Sequence, residues 1–333
     1  MKFRMARVWA IVVASSFFLS ACGNPQENTE RQSLRETVLI EDVHGEVEVP
    51  KNPERVVSLD NRSFETLESW GVPLIAAPKD VMPPGLSYRE DDAIVNIGNH
   101  REPKLELIAA ADPELVIVGQ RFAGFYDEIK ALVPNAVVID LNIDVSETAS
   151  TPAENLVKGF LSMTKDLGQI FGKEEEAEAL ITQLEESIEA AKSAYNGSDR
   201  IMAVIVSGGS IGYSAPGTGR VWGPLYELFD WEAALDVGNS SSNHQGDEIS
   251  VEAIAQSNPD WLLVLDRDAS TSSNGEEVYI PAEDVLKNSP ALANVRAVQD
   301  ERFIYAPADT YTNESIQTFI ELFETLAEEF RQG

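Results

Sequence analysis

An internal repeat constrains the fold more than any other feature of this sequence. Leu105–Val118 aligns without a gap on Val251–Val264, at an offset of 251 − 105 = 146 residues. The match pairs Glu106 with Glu252, Asp112-Pro113 with Asn258-Pro259, and the apolar run Leu115–Val118 with Trp261–Val264. Each copy reads as a short helix carrying one glutamate, stopped before the proline, since a residue preceding Pro is driven out of the helical region. A run of four apolar residues then reads as a buried parallel strand. The same offset pairs Arg121 with Arg267 (267 − 121 = 146). A chain repeated in this way folds as two similar α/β lobes, with one arginine just past the carboxyl end of an equivalent strand in each. In open α/β sheets, ligands bind at that end of the strands.

Other segments fit the same plan. Arg55–Leu59 reads as a strand followed by a helix from about Ser63 to Trp70, and Ala136–Leu141 reads as another strand. Ile201–Val206 and Arg302–Tyr305 are strands of the second lobe. This alternation predicts an α/β fold of two Rossmann-like lobes with mostly parallel sheets and a ligand cleft between them. Residues 37–150 form the first lobe and 173–333 the second. A connecting helix over 151–172 joins them, with Thr151 as cap and Pro152 at its first position. Leu156, Phe160, Met163, Leu167 and Ile170 recur at helical spacing on one face. A break at Phe171-Gly172-Lys173 precedes a second helix that runs to about Tyr195. At ~1.5 Å rise per residue the first helix is long enough to cross between lobes. Such a linker is stiff, so opening and closing are small.

Charge and cysteine content remove whole classes of function. There are 56 acidic and 25 basic residues in 333, a net charge of −31. That argues against a nucleic-acid binder, which needs a basic face. The one cysteine excludes a disulfide framework or a cysteine-rich metal site. An enzyme is disfavoured, for there is no Gly-x-Ser-x-Gly elbow, Walker loop or His-Glu-x-x-His. Ser207-Gly208-Gly209-Ser210 is Gly-rich but lacks the lysine of a phosphate loop.

The N-terminus carries an address. Lys2, Arg4 and Arg7 precede the apolar run Val8–Leu19, which is too short to span a bilayer and reads as a secretory signal over residues 1–21. It ends in Leu19-Ser20-Ala21-Cys22, which looks like a bacterial lipobox. Cys22 is then lipidated and becomes the new terminus. Removing residues 1–21 takes the charge to −31 − 3 = −34. The polar stretch over 22–36 reads as a flexible tether. The expected location is the extracytoplasmic face of a bacterial membrane.

Taken together, the repeat, the lipobox, the opening Asp42–Val57 and the segment Ile97–Pro103 resemble one family. It comprises bacterial siderophore-binding lipoproteins of the helical-backbone class, which deliver ferric siderophores to an ABC importer. The resemblance runs from about Thr37 to Phe330 and is nearest in texture to the catecholate branch. It implies no intrinsic cofactor. Ferric iron is carried as a siderophore complex, and the partners are the permease subunits and their ATPase. A single lipid anchor and a repeat-built pocket suggest a monomer.

Three catecholate dianions on Fe(III) leave a net trianion, which a protein of charge −34 repels at long range, although salt screens the repulsion beyond ~10 Å. The cleft therefore needs local positive charge. Arginine suits it, with fork-like donors and a face that stacks on rings. Arg121, Arg267 and Arg220, the last in the Gly-rich segment Ser214–Arg220, match the three arginines of the family's catecholate binders. The resemblance also implies that His244 and Tyr311 complete the iron shell when a siderophore leaves positions open, with Tyr305 a weaker rival to Tyr311. Tyr213 and Trp222 line the cleft or pack in the core. Glu106 and Glu252 are expected to meet arginines of the permease. Other ligands on the same scaffold stay open: haem, cobalamin or a hydroxamate siderophore. A zinc or manganese receptor would need His44, His100 and His244 to converge with carboxylates, and convergence of the first two with His244 is not expected.

Overall fold

A computed structural model describes residues 36–146, 149–237, 241–271 and 279–333. The expected signal sequence, Cys22 and all but the last residue of the expected tether lie outside these. The first strands, β1 (Thr37–Asp42) and β2 (Gly45–Pro50), form an antiparallel hairpin. Five further strands follow: β3 (Val56–Ser58), β4 (Leu74–Ala77), β5 (Val95–Asn96), β6 (Leu115–Val118) and β7 (Val137–Asp140). They make one parallel sheet in the order β5-β4-β3-β6-β7. The second sheet contains β8 (Arg200–Ser207), β9 (Ser210–Ser214), β10 (Glu232–Ala233), β11 (Trp261–Asp266) and β12 (Phe303–Tyr305). Its path is β10-β8-β11-β12, all parallel, with β9 antiparallel on β8.

The repeat is visible in the pairing. β6 lies between β3 and β7, as β11 lies between β8 and β12. All four residues of β6 are buried, as are Trp261–Leu265 of β11, which is what a strand covered on both faces requires. The helices before them are Leu105–Ala110 and Val251–Ser257. Asp112 and Asn258, each just before its proline, adopt left-handed backbone with φ of 51° and 47°. Asp and Asn are the residues that tolerate this conformation best, so each copy stops its helix by the same device.

β9 is not among the strands expected above. Gly208-Gly209 closes a two-residue hairpin between β8 and β9, with Ser207 facing Ser210 and φ of 57° and 74°. Those angles suit a tight turn matched to strand twist and favour glycine at both places. The Gly-rich stretch is therefore a hairpin.

The linking helix is Pro152–Phe171, followed by a helix over Glu174–Ala194. Leu156, Phe160, Met163, Leu167 and Ile170 are all buried. Phe160 packs on Phe319 of the C-terminal helix Ile316–Gln332, ring centres 5.1 Å apart. Thr151 sits at the cap position, but its hydroxyl bonds Asn155 Oδ1 at 3.3 Å and no backbone N–H. Proline at the first position has no N–H, so one of the unpaired donors of the first turn is absent. No described helix is long and apolar enough to cross a membrane.

Candidate ligand site between the lobes

Arg121 and Arg267 emerge where the repeat puts them. Arg121 follows β6 by three residues, and Arg267 follows β11 directly. Arg220 comes from a tight loop between β9 and the helix Gly223–Leu228. That loop folds back on itself: Gly219 N–H donates to Ala215 O at 2.9 Å, and Gly223 N–H to Gly219 O at 2.7 Å. A Cβ on Gly219 would lie 2.5 Å from both the nitrogen and the oxygen of Ala215, so only glycine fits. Val221, next in line, is held at φ 63°. That is a costly conformation for a β-branched residue, and such strain gathers at functional sites.

The three guanidinium groups surround one ring. The Cζ atoms of Arg220, Arg267 and Arg121 lie 4.8, 4.9 and 6.0 Å from the centre of the Tyr311 ring. Arg121 also donates to Tyr311 O at 3.3 Å. The Tyr311 hydroxyl and His244 Nδ1 are 2.9 Å apart, a hydrogen bond whose direction depends on the tautomer. Burial and the charges of Arg220, Arg121 and Arg267 push the His244 pKa down to about 4. The imidazole is therefore neutral at pH 7 and keeps a lone pair for a metal.

Two neighbouring cavities share His100 and Arg121 in their walls. The inner one, about 360 Å³, also takes in Arg62, Arg220, His244 and Glu314, and rests on Leu156 of the linking helix. The outer one, about 830 Å³, takes in Arg267 and Tyr311. Both lobes and the linking helix thus contribute to one cleft.

Several residues stand elsewhere than expected. Tyr213 and Trp222 do not line the cleft. Tyr213 is buried in the core of the second lobe, where its hydroxyl donates to Leu235 O, and Trp222 in the larger core that includes the linking helix. Each large ring faces inward among apolar neighbours, where burial of its area is most favourable. Tyr305 lies in β12 and is in neither cavity wall, whereas Tyr311 is. His100, set aside as a partner of His244, shares the inner cavity with it. Its Nδ1 is buried without a hydrogen-bond partner, and burial followed by the charge of Arg121 keeps the ring neutral. His44, by contrast, sits on the hairpin against Asp140 and the Tyr126 ring. Among the described residues no three His, Cys, Asp or Glu side chains cluster as a metal site needs.

Two site residues were not foreseen. Arg62 follows β3 by four residues and is 3% exposed, and the strand-end rule that located Arg121 points to it equally. Glu314 has no such signal. Its carboxylate is buried between Arg62, at 3.1 Å, and Arg220. Burial alone would raise its pKa, but Arg220, Arg62 and Arg121 outweigh that and hold it below the usual range. Glu106 and Glu252 are exposed in the first turns of the two repeated helices.

Residues 56–310 match the sequence model of the periplasmic binding protein family. The chain belongs to that family. The petrobactin-binding protein YclQ of Bacillus subtilis is 29% identical over 308 residues, covering 90% of each chain. The ferric-anguibactin-binding protein FatB of Vibrio anguillarum is 27% identical over 305 residues, 91% of this chain and 90% of that one. Among solved structures, the catecholate-siderophore-binding protein VctP of Vibrio cholerae superposes with a TM-score of 0.72 at 23% identity. That match covers 90% of this chain and all of VctP, and it carries the two-lobe fold.

Proposed function

We propose that this periplasmic binding protein captures a ferric siderophore bearing catecholate groups and delivers it to an ABC permease. The observation that carries the reading is the convergence of Arg121, Arg220 and Arg267 on Tyr311, which is hydrogen-bonded to His244. A chain of net charge −31 that concentrates guanidinium groups from both lobes in one cleft is built for an anion. Planar guanidinium forks match catecholate oxygens, and neutral hydroxamates or cobalamin have no use for so many. The names of the relatives, petrobactin and ferric anguibactin among them, support a ferric siderophore as cargo.

His244 and Tyr311 are the protein's own donors to iron where the siderophore leaves positions open, since imidazole and phenolate both suit iron. His100 faces the cargo from the first lobe. The lipobox supports a lipid anchor at Cys22 on the extracytoplasmic face of the membrane, and Glu106 and Glu252 are the docking contacts to the permease. Replacing Arg121 and Arg267 together with alanine tests the site. Calorimetric titration with a ferric bis-catechol is expected to show at least a hundredfold loss of affinity, about 2.7 kcal/mol. Unchanged affinity would remove both residues from the ligand site.

A further inference from the structure

Glu314 stands out among the buried groups because it belongs to both lobes at once. Its side chain is 9% exposed and accepts from two arginines 252 and 94 residues away in sequence. Arg62, from the first lobe, is 3% exposed and is fixed on its other side by Ile143 O at 3.2 Å. Arg220, from the second lobe, is 9% exposed. Around this triad runs a seam of polar contacts between the lobes. Asn61 Nδ2 donates to Thr312 O at 2.6 Å, Asn313 Nδ2 to Glu65 Oε2 at 2.9 Å, and Thr66 Oγ1 to Gln317 Oε1 at 2.9 Å.

The backbone carries a cost to keep a carboxylate at this point. Glu314 closes the short helix Thr310–Asn313 in left-handed conformation, φ 47° and ψ 30°, where glycine would be less strained. Ser315 follows at once as the N-cap of the C-terminal helix, its Oγ accepting from Thr318 N–H at 3.0 Å. A helix junction needs only a turn there, not an acidic side chain. What the side chain does is neutralise and orient two guanidinium groups. Unpaired, they would repel each other and Arg121, and a buried charge without a partner is strongly unfavourable.

Resting on the catecholate reading, we infer that Glu314 is the positioning residue of the ligand site. Its buried carboxylate holds Arg220 aimed at the cleft and ties it across the lobes to Arg62. The guanidinium is then ordered before the ligand arrives, and the ordering entropy is not lost on binding. Glu314 reaches the cargo through Arg220.

The test is a double-mutant cycle on the full protein, titrated with a ferric bis-catechol. E314Q is expected to weaken binding about tenfold when Arg220 is present, and by less than about twofold in an R220A background. Equal losses in both backgrounds would assign Glu314 a general role in the fold and overturn the inference. If E314Q does not fold, the same cycle is run on an R62M background, where no Arg62 charge is left unpaired. A ligand-free arm separates this inference from the catecholate reading. NMR of the Arg220 side chain is expected to show hindered guanidinium rotation in the wild type and free rotation in E314Q. Wild-type protein that ignores the bis-catechol yet shows this change refutes the cargo and keeps the positioning role. Rotation unaffected by E314Q refutes the positioning role whatever the cargo.

Discussion

His244 shows how strongly the arginines act on a neighbour. Burial and three guanidinium groups hold its pKa near 4, well below the ordinary 6.5. The unfolded chain takes up this proton near pH 6.5 and the folded protein only near pH 4. The histidine therefore contributes stability that is complete above pH 6.5 and is lost as pH falls towards 4. NMR titration of the imidazole should give a midpoint near 4 in the wild type. R220A should move it upward, because Arg220 is the largest charge acting on the ring. A midpoint unmoved by R220A would mean that Arg220 does not face His244. Arg121 and Arg267 are legible in the sequence because the repeat places both at equivalent strand ends. His100 and Glu314 are not. The direction of a loop side chain, and a partner 252 residues away, leave no local pattern to read.

At the scale of elements, the linking helix is the part most plainly written in the sequence. Five apolar residues at helical spacing all turn inward, and its end at Phe171 falls where a glycine follows. Phe160 is 1% exposed and packs on Phe319, so the helix is pinned to the C-terminal helix beneath the inner cavity. Phe160→Ala should cost about 3–5 kcal/mol of stability, from lost burial plus the cavity left behind. Denaturant unfolding measures this, and a cost below about 1 kcal/mol would show that the helix is not held there. The hairpin β8–β9 does leave a signal, Gly208-Gly209 between the apolar strand β8 and the alternating Ile211 and Tyr213, which weighing that stretch only as a phosphate loop passes over. The loop that aims Arg220 is local, set by the close approach of Gly219 to Ala215 four residues earlier, and its glycines are its signal in the sequence.

Across the whole molecule, the two-lobe plan follows from the repeat, since one 146-residue offset fixes equivalent helices, strands and arginines. The polar seam between residues 61–66 and 312–317 does not follow from it, because it joins segments outside the repeated stretch. The linking helix and this seam both tie the two lobes together. Glu106 and Glu252 are exposed at matched positions of the two repeats, as their proposed docking to a permease requires. Paired rim charges set register and steering more than affinity. The double variant E106A/E252A should bind ligand as the wild type does and fail to support uptake by cells; normal uptake would refute the docking role.

On the proposed function the cleft selects its cargo by charge. Tryptophan fluorescence tests it most directly, with Trp222 buried beside Arg220 as a reporter. The purified protein is titrated in parallel with a ferric catecholate, a ferric hydroxamate, haem and cobalamin. Submicromolar quenching by the ferric catecholate alone is expected, weakening as salt is added. Tighter binding of the hydroxamate or of cobalamin, indifferent to salt, would contradict it.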